Sequence, residues 1–218
     1  MGRCIKKKPF LIVFEGVEGC GKSYQSQKLT RSLKKKGINP ILTRETGGTR
    51  SAESIRTLIL KDYFNKGKEE KFDKYTDTLL YLAARNEHIK NKIEPALKRK
   101  KVVICDRFID STIAYQVYGK KVNRSFIDNI HKFILQGIKP NLVFILKVSS
   151  KSSKLRLKKR KTKNRYDNFS QSFYTKAEKS FLKIAKNKKN YFVLDSSSNN
   201  TNLEKKILNI VFKKLKVK

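Results

Sequence analysis

Short apolar runs alternate with longer stretches of helical periodicity, which predicts a three-layer α/β fold: a parallel five-stranded sheet with helices on both faces. A glycine-rich stretch between the first strand and the first helix supports that class, because such turns sit at the ligand-binding edge of parallel sheets. The 218 residues match one large domain. Neither an internal repeat nor a linker divides them, so residues 1–218 are expected to form a single domain.

In chain order, PFLIVFE reads as a buried strand and Gly21 to Lys36 as a helix closed by Gly37. NPILTRE is a second strand. Helices follow over Ser51 to Tyr63 and Lys74 to Lys100, the latter bent near Pro95 because proline removes a helical donor. KVVICD is the third strand, followed by helices from Ile109 and over Arg124 to Gln136. NLVFILKV is the fourth strand, then helices at Ser150 to Arg160 and Gln171 to Lys186. YFVLD is a short fifth strand before a last helix from Asn202. The polar segment KKRKTKNRYDNFS marks a mobile lid, about residues 156–169.

Composition narrows the setting. Cys4, Cys20 and Cys105 are odd in number and lack metal-ligand spacing, which favours a reducing, cytoplasmic location over a disulfide framework or a zinc site. The apolar run before Glu15 is too short for a signal peptide, and no run approaches the roughly 20 apolar residues of a membrane span. The formal net charge is +35. Two readings compete: a nucleic-acid partner, or lysines written onto exposed positions. The basic runs are scattered and carry no interleaved aromatics for base stacking, which favours the second. So basic a chain still binds polyanions weakly and non-specifically.

The chemistry concentrates in a few motifs. Gly16-Val17-Glu18-Gly19-Cys20-Gly21-Lys22-Ser23 matches G-x-x-x-x-G-K-[ST] in full, between a strand and a helix. Glycines let such a loop turn its N–H groups inward, and the helix N-terminus adds positive potential for phosphates. Lys22 is expected on the β- and γ-phosphates and the Ser23 hydroxyl on Mg²⁺. The alternative is an ordinary Gly-rich turn before a helix. Asp106 and Arg107, at the end of the third strand, supply an acidic neighbour for Mg²⁺ and an anion clamp. TRETGGT places Arg44 and a glycine pair after the second strand, and LLYLAAR puts Tyr81 and Arg85 on one helix face. Taken singly, Tyr81 could be core, Arg107 a structural ion-pair partner and Arg44 a surface charge.

Together, FEGVEGCGKS, TRETGGT, LLYLAAR, CDRFIDSTIAYQ and KPNLVFILKV resemble the bacterial thymidylate kinases in order and spacing, from Phe10 to Phe181. The resemblance implies a P-loop kinase fold and transfer of the γ-phosphoryl group of ATP to dTMP. It implies that Tyr81 stacks on thymine and that Arg85, Thr112 and Gln116 bond the base edge. Tyr115 falls beneath the deoxyribose and Arg107 on the acceptor phosphate, with Arg56 bordering that pocket. Glu18 faces the sugar and Glu45 lines the same region. The family is dimeric, which implies a homodimer here. Some members carry an arginine after the acidic residue of the phosphate loop; here that position is Gly19. The catalytic cation is therefore expected from the lid, from Arg156, Arg160 or Arg165, against the alternative of a solvated basic helix end.

Three positions depart from the family pattern. Thr46 replaces a proline often preceded by a cis bond; since cis costs about 3 kcal/mol before other residues, a trans bond and a displaced glycine pair are expected, which weakens the role of Glu45. Asn164 removes a lid carboxylate, and Lys147 replaces an acid at the end of the fourth strand. Competing functions are a P-loop kinase with another nucleotide or nucleoside acceptor, and a nucleic-acid-dependent P-loop ATPase resting on charge alone.

Overall fold

The computed structural model describes residues 8–60, 72–159, 170–198 and 201–216. Five parallel strands form its sheet: β1 (Phe10–Glu15), β2 (Ile41–Arg44), β3 (Val102–Asp106), β4 (Leu142–Lys147) and β5 (Tyr191–Asp195). Their spatial order is β2-β3-β1-β4-β5. β1 lies at the centre, with Val13 opposite both Cys105 of β3 and Val143 of β4. Covered on both faces, the inner strands read as unbroken apolar runs rather than alternating ones. Phe14 and Phe144 stack across β1 and β4 with ring centroids 5.2 Å apart.

The helices are α1 (Lys22–Lys35), α2 (Arg50–Leu60), α3 (Lys74–His88), α4 (Glu94–Lys98), α5 (Ile109–Thr112), α6 (Arg124–Leu135), α7 (Ser150–Lys158), α8 (Gln171–Ala185) and α9 (Thr201–Leu215). Asp73, Asn123, Ser149 and Ser170 each cap a helix start by accepting a backbone N–H. Among the described residues no helix is long and apolar enough to cross a membrane.

Two expected helices are less regular than their periodicity suggests. The helix beginning at Lys74 widens into a π-helical turn at Ile89–Ile93 before α4. Pro95 explains the position: without an N–H it cannot bond the carbonyl four residues back, so the preceding turn opens. The helix beginning at Ile109 is regular only to Thr112 and continues as a wide turn over Ile113–Gly119. There the Lys120 N–H reaches the Tyr115 carbonyl, five residues back, at 2.9 Å. That turn carries Tyr115 and Gln116, in keeping with the tendency of π-turns to occur at functional sites.

The topology fixes where a ligand can enter. The chain leaves β1 for β2, on the far side of β3, and leaves β3 for β4, on the far side of β1. Connections departing in opposite directions open a crevice beyond the carboxyl ends of β1 and β3. The glycine-rich loop and Asp106-Arg107 both begin there.

Candidate active site

The loop after β1 wraps tightly because its glycines permit it. A Cβ on Gly16 would lie 2.5 Å from the Leu146 carbonyl oxygen, so the loop can press against β4 only without a side chain there. Gly19 has φ +72°, and its Cβ would meet the Ser153 carbonyl of α7 at 2.8 Å. Lys22 Nζ donates to the Gly16 and Val17 carbonyls at 3.1 and 2.9 Å and contacts Cys20 Sγ at 3.5 Å. Burial pushes the Cys20 thiol up, which makes it a space-filling residue rather than a thiolate. Ser23 Oγ donates to Asp106 Oδ2 at 2.5 Å, joining the loop's end to the end of β3.

The Glu18 side chain reaches beyond its own loop. Its two carboxylate oxygens accept from Arg107 Nη2 and from the Tyr115 hydroxyl, each at 2.6 Å. Arg107 also donates to the Gly16 carbonyl at 2.9 Å and to Ser111 Oγ at 3.0 Å. Its guanidinium lies 5.3 Å from the centre of the Tyr115 ring. Burial opposes ionisation of Glu18, but Arg107, Lys22 and the Tyr115 hydroxyl outweigh it and hold the carboxyl below its ordinary range. Arg107 is likewise desolvated, yet Glu18 and its neighbours push its pKa well upward.

Behind this pair lies Glu15, fully buried at the end of β1. It accepts from the Phe108 N–H at 2.8 Å, the Ser111 N–H at 3.2 Å and Ser111 Oγ at 2.6 Å. Burial first, then the Asp110 carboxylate, raise its pKa to about 8.

On the other side, Arg85 is almost wholly buried at 4% exposure. Its Nε donates to Glu45 Oε2 at 2.7 Å and its Nη2 to the Phe108 carbonyl at 2.8 Å; its Nη1 lies 2.8 Å from His131 Nε2. Glu45 Oε1 meets His88 Nδ1 at 3.2 Å, and His88 Nε2 meets Thr43 Oγ1 at 2.6 Å. Burial raises the Glu45 pKa, but Arg85 and His88 lower it by more. The peptide bond between Glu45 and Thr46 is cis, contrary to the sequence expectation. It is flanked by partners that the sequence does not reveal: the Glu45 N–H donates to the Asp106 carbonyl at 2.9 Å, and Arg56 Nη1 to the Thr46 carbonyl at 2.7 Å. Arg44 is paired with Glu53 at 2.9 Å, and Glu53 also accepts from the Gly48 N–H.

A cavity of about 540 Å³ joins these groups. Of the residues singled out from sequence, Glu18, Gly19, Gly21, Lys22, Ser23, Glu45, Arg56, Tyr81, Arg85, Asp106, Arg107, Thr112, Tyr115 and Arg156 line it. Gly16, Val17 and Cys20 do not. Neither does Gln116, which is buried, and its amide nitrogen has no hydrogen-bond partner among the described residues. Arg156 Nη1 donates to the Gly19 carbonyl at 3.1 Å, while its Nη2 donates to the Ser196 carbonyl at 2.7 Å. Arg160, Arg165, Asn164 and most of the expected lid lie outside the described residues. Sequence reasoning missed Glu15, Ser111, Phe108 and His131. Glu15, Phe108 and Ser111 each gave a signal, by falling within the FEGVEGCGKS and CDRFIDSTIAYQ stretches; His131 gave none.

The family model for thymidylate kinase matches residues 14–207. The chain belongs to the thymidylate kinase family. A thymidylate kinase of Wolbachia pipientis subsp. Culex pipiens is 41% identical over 94% of this chain and 97% of its own length. One from Geobacillus is 41% identical over 79% of this chain and 80% of its own length. The crystal structure of a thymidylate kinase from Ehrlichia chaffeensis superposes with a TM-score of 0.73 at 32% identity, covering 94% of this chain and 99% of that one.

Within a thymidylate kinase, Gly19 and the departure at Lys147 both have local accounts. Gly19 leaves no room for a side chain because α7 packs directly on it. Lys147 is exposed and lies opposite Asp195 in the ladder between β4 and β5, so a carboxylate remains at that edge on the neighbouring strand.

Proposed function

We propose that the protein transfers the γ-phosphoryl group of ATP to dTMP, giving ADP and dTDP for dTTP synthesis. The observation that carries this reading is Glu18. It belongs to the phosphate loop, yet its side chain holds Arg107 and Tyr115 on the acceptor side. One carboxylate thereby ties a nucleoside triphosphate site to an anion site within a single cavity.

The acceptor is itself a phosphate, so no side chain need remove a proton. The obstacle is the meeting of two polyanions, which preorganised cations in a water-poor site relieve. Arg107 binds the acceptor phosphate, and Arg56 borders it. Lys22 exchanges its loop carbonyls for the β- and γ-phosphates. Tyr81 stacks on thymine, and Arg85, Thr112 and Gln116, whose amide nitrogen has no hydrogen-bond partner among the described residues, bond its edge. Tyr115 lies under the deoxyribose, close to Glu18. Glu45 acts through Arg85. The Ser23 hydroxyl and Asp106 carboxylate are hard oxygen donors at the loop's end and suit Mg²⁺, which keeps most of its ligands from phosphates and water. When bound, that ion screens charge on the transferred group. Arg156 clamps the loop to the segment after β5, so the lid cation on the transferred group falls to Arg160 or Arg165. We place the enzyme in the cytoplasm as a homodimer. Leu79 on α3 and Phe133 on the neighbouring α6 are exposed, Phe133 at 79%, and suit a subunit contact.

The test is a coupled assay with ATP and Mg²⁺ against dTMP, dUMP, dCMP and dAMP, with and without DNA. Phosphorylation of dTMP above the others is expected. No turnover of dTMP together with DNA-stimulated ATP hydrolysis would overturn the reading.

A further inference from the structure

Both histidines of the chain sit on the network that holds Arg85, and only one touches the guanidinium. His131 comes from α6, 46 residues away in sequence, and its Nε2 lies 2.8 Å from Arg85 Nη1. A guanidinium has five N–H donors and no acceptor. Nε2 must therefore be the acceptor, which makes the imidazole neutral with its proton on Nδ1. Burial first, then the nearby charges of Arg85 and Arg124, push the His131 pKa down to about 3, so the lone pair persists through the physiological range.

Three acceptors then meet the guanidinium at its three nitrogens: Glu45 at Nε, His131 at Nη1 and the Phe108 carbonyl at Nη2. Two contacts leave rotation about the line joining them, whereas a third fixes the plane. Among the described residues two N–H bonds stay free, one on each terminal nitrogen, on a side chain that lines the cavity.

We propose that His131 is a positioning residue for acceptor specificity: its Nε2 lone pair fixes the plane of Arg85 so that the free N–H bonds meet a ring carbonyl oxygen of the acceptor pyrimidine and reject a ring amino group. This rests on the reading that Arg85 bonds the base edge. A base bearing an amino group at that edge would bring donor against donor and leave both unpaired, the situation in which polar sites discriminate most strongly.

The experiment compares His131→Leu, His131→Gln and Arg85→Gln in the full chain. Gln offers Oε1 as an acceptor near the position of Nε2; Leu offers none. His131→Leu is expected to raise KM for dTMP about tenfold, the worth of one hydrogen bond to a charged group, to leave KM for ATP within about twofold of wild type, and to narrow the preference for dTMP over dCMP. His131→Gln restores most of both. ¹⁵N NMR of the wild type is expected to show His131 with Nε2 unprotonated from pH 8 to pH 5. An unchanged dTMP KM in His131→Leu beside a raised one in Arg85→Gln overturns the positioning role and leaves the base reading intact. An unchanged KM in Arg85→Gln overturns both. Should the leucine variant fail to fold, a glutamine variant as impaired as Arg85→Gln overturns the proposal, and one close to wild type supports it.

Discussion

Glu18 and Arg107 meet at 2.6 Å, and neither has bulk water as its main solvation. Removing one leaves the other desolvated without its partner, which is the costly way to break a charge pair. Arg107→Ala is therefore expected to raise KM for dTMP by about 10- to 100-fold, the range of one charge-assisted hydrogen bond, and KM for ATP much less. Equal effects on both substrates would detach Arg107 from the acceptor. Glu15 predicts a pH dependence of stability. Its pKa is raised to about 8, and Asp110 beside it is raised too, chiefly by burial. Below the ordinary carboxyl range both folded and unfolded chains hold the Glu15 proton. As pH rises towards 8 the unfolded chain releases it first, so stability falls, at up to about 1.4 kcal/mol per pH unit for one proton. Glu15→Gln keeps an oxygen for the Phe108 N–H and is expected to flatten that fall in denaturant titrations from pH 5 to 8. An identical pH slope in the variant would show that Glu15 ionises normally. None of this was visible in sequence, where Glu15 is merely the polar residue that ends an apolar run.

At the scale of elements, the phosphate loop and α7 are fitted to one another. Gly19 adopts a left-handed backbone with Ser153 against it, and Ser153 Oγ donates to the Glu18 carbonyl at 2.8 Å. Gly19→Ala is expected to cost about 1–2 kcal/mol in backbone strain alone, lowering kcat/KM for ATP by about tenfold or more, with α7 displaced. Steady-state kinetics would check this, and a kinetically silent substitution would mean that α7 does not constrain the loop. The strand-helix alternation and the loop motif were legible because each depends on a local pattern: apolar runs, 3.6-residue periodicity, glycines at fixed spacing. The wide turns at Ile89–Ile93 and Ile113–Gly119 were not, since both keep helical periodicity. Pro95 hinted at the first; the second is defined by carbonyl partners five residues away, which no side-chain pattern records.

At the scale of the molecule, charge is distributed by function. The chain has 53 Lys and Arg against 18 Asp and Glu, yet four of those scarce acids converge on one place. Glu18, Glu45 and Asp106 line the cavity, and Glu15 backs it. They neutralise or orient cations that would otherwise repel one another. Among the described residues the other Lys and Arg lie mostly on exposed positions, where they can meet a polyanion such as DNA. Sheet order completes the site: β1 and β3 are adjacent although about 90 residues apart in sequence, so Glu18 can reach Arg107.

The layered α/β architecture, the phosphate loop and the family were legible in the residues alone, because these rest on local periodicity and short motifs. The packed fold set what each charged residue faces. It turned Glu18 from a loop residue into a bridge, kept the Glu45–Thr46 bond cis, and brought His131 from a distant helix to Arg85. The physical reason is that hydrogen bonds and ion pairs act over about 3 Å, and which groups come that close depends on how strands are ordered and helices packed, not on their spacing along the chain.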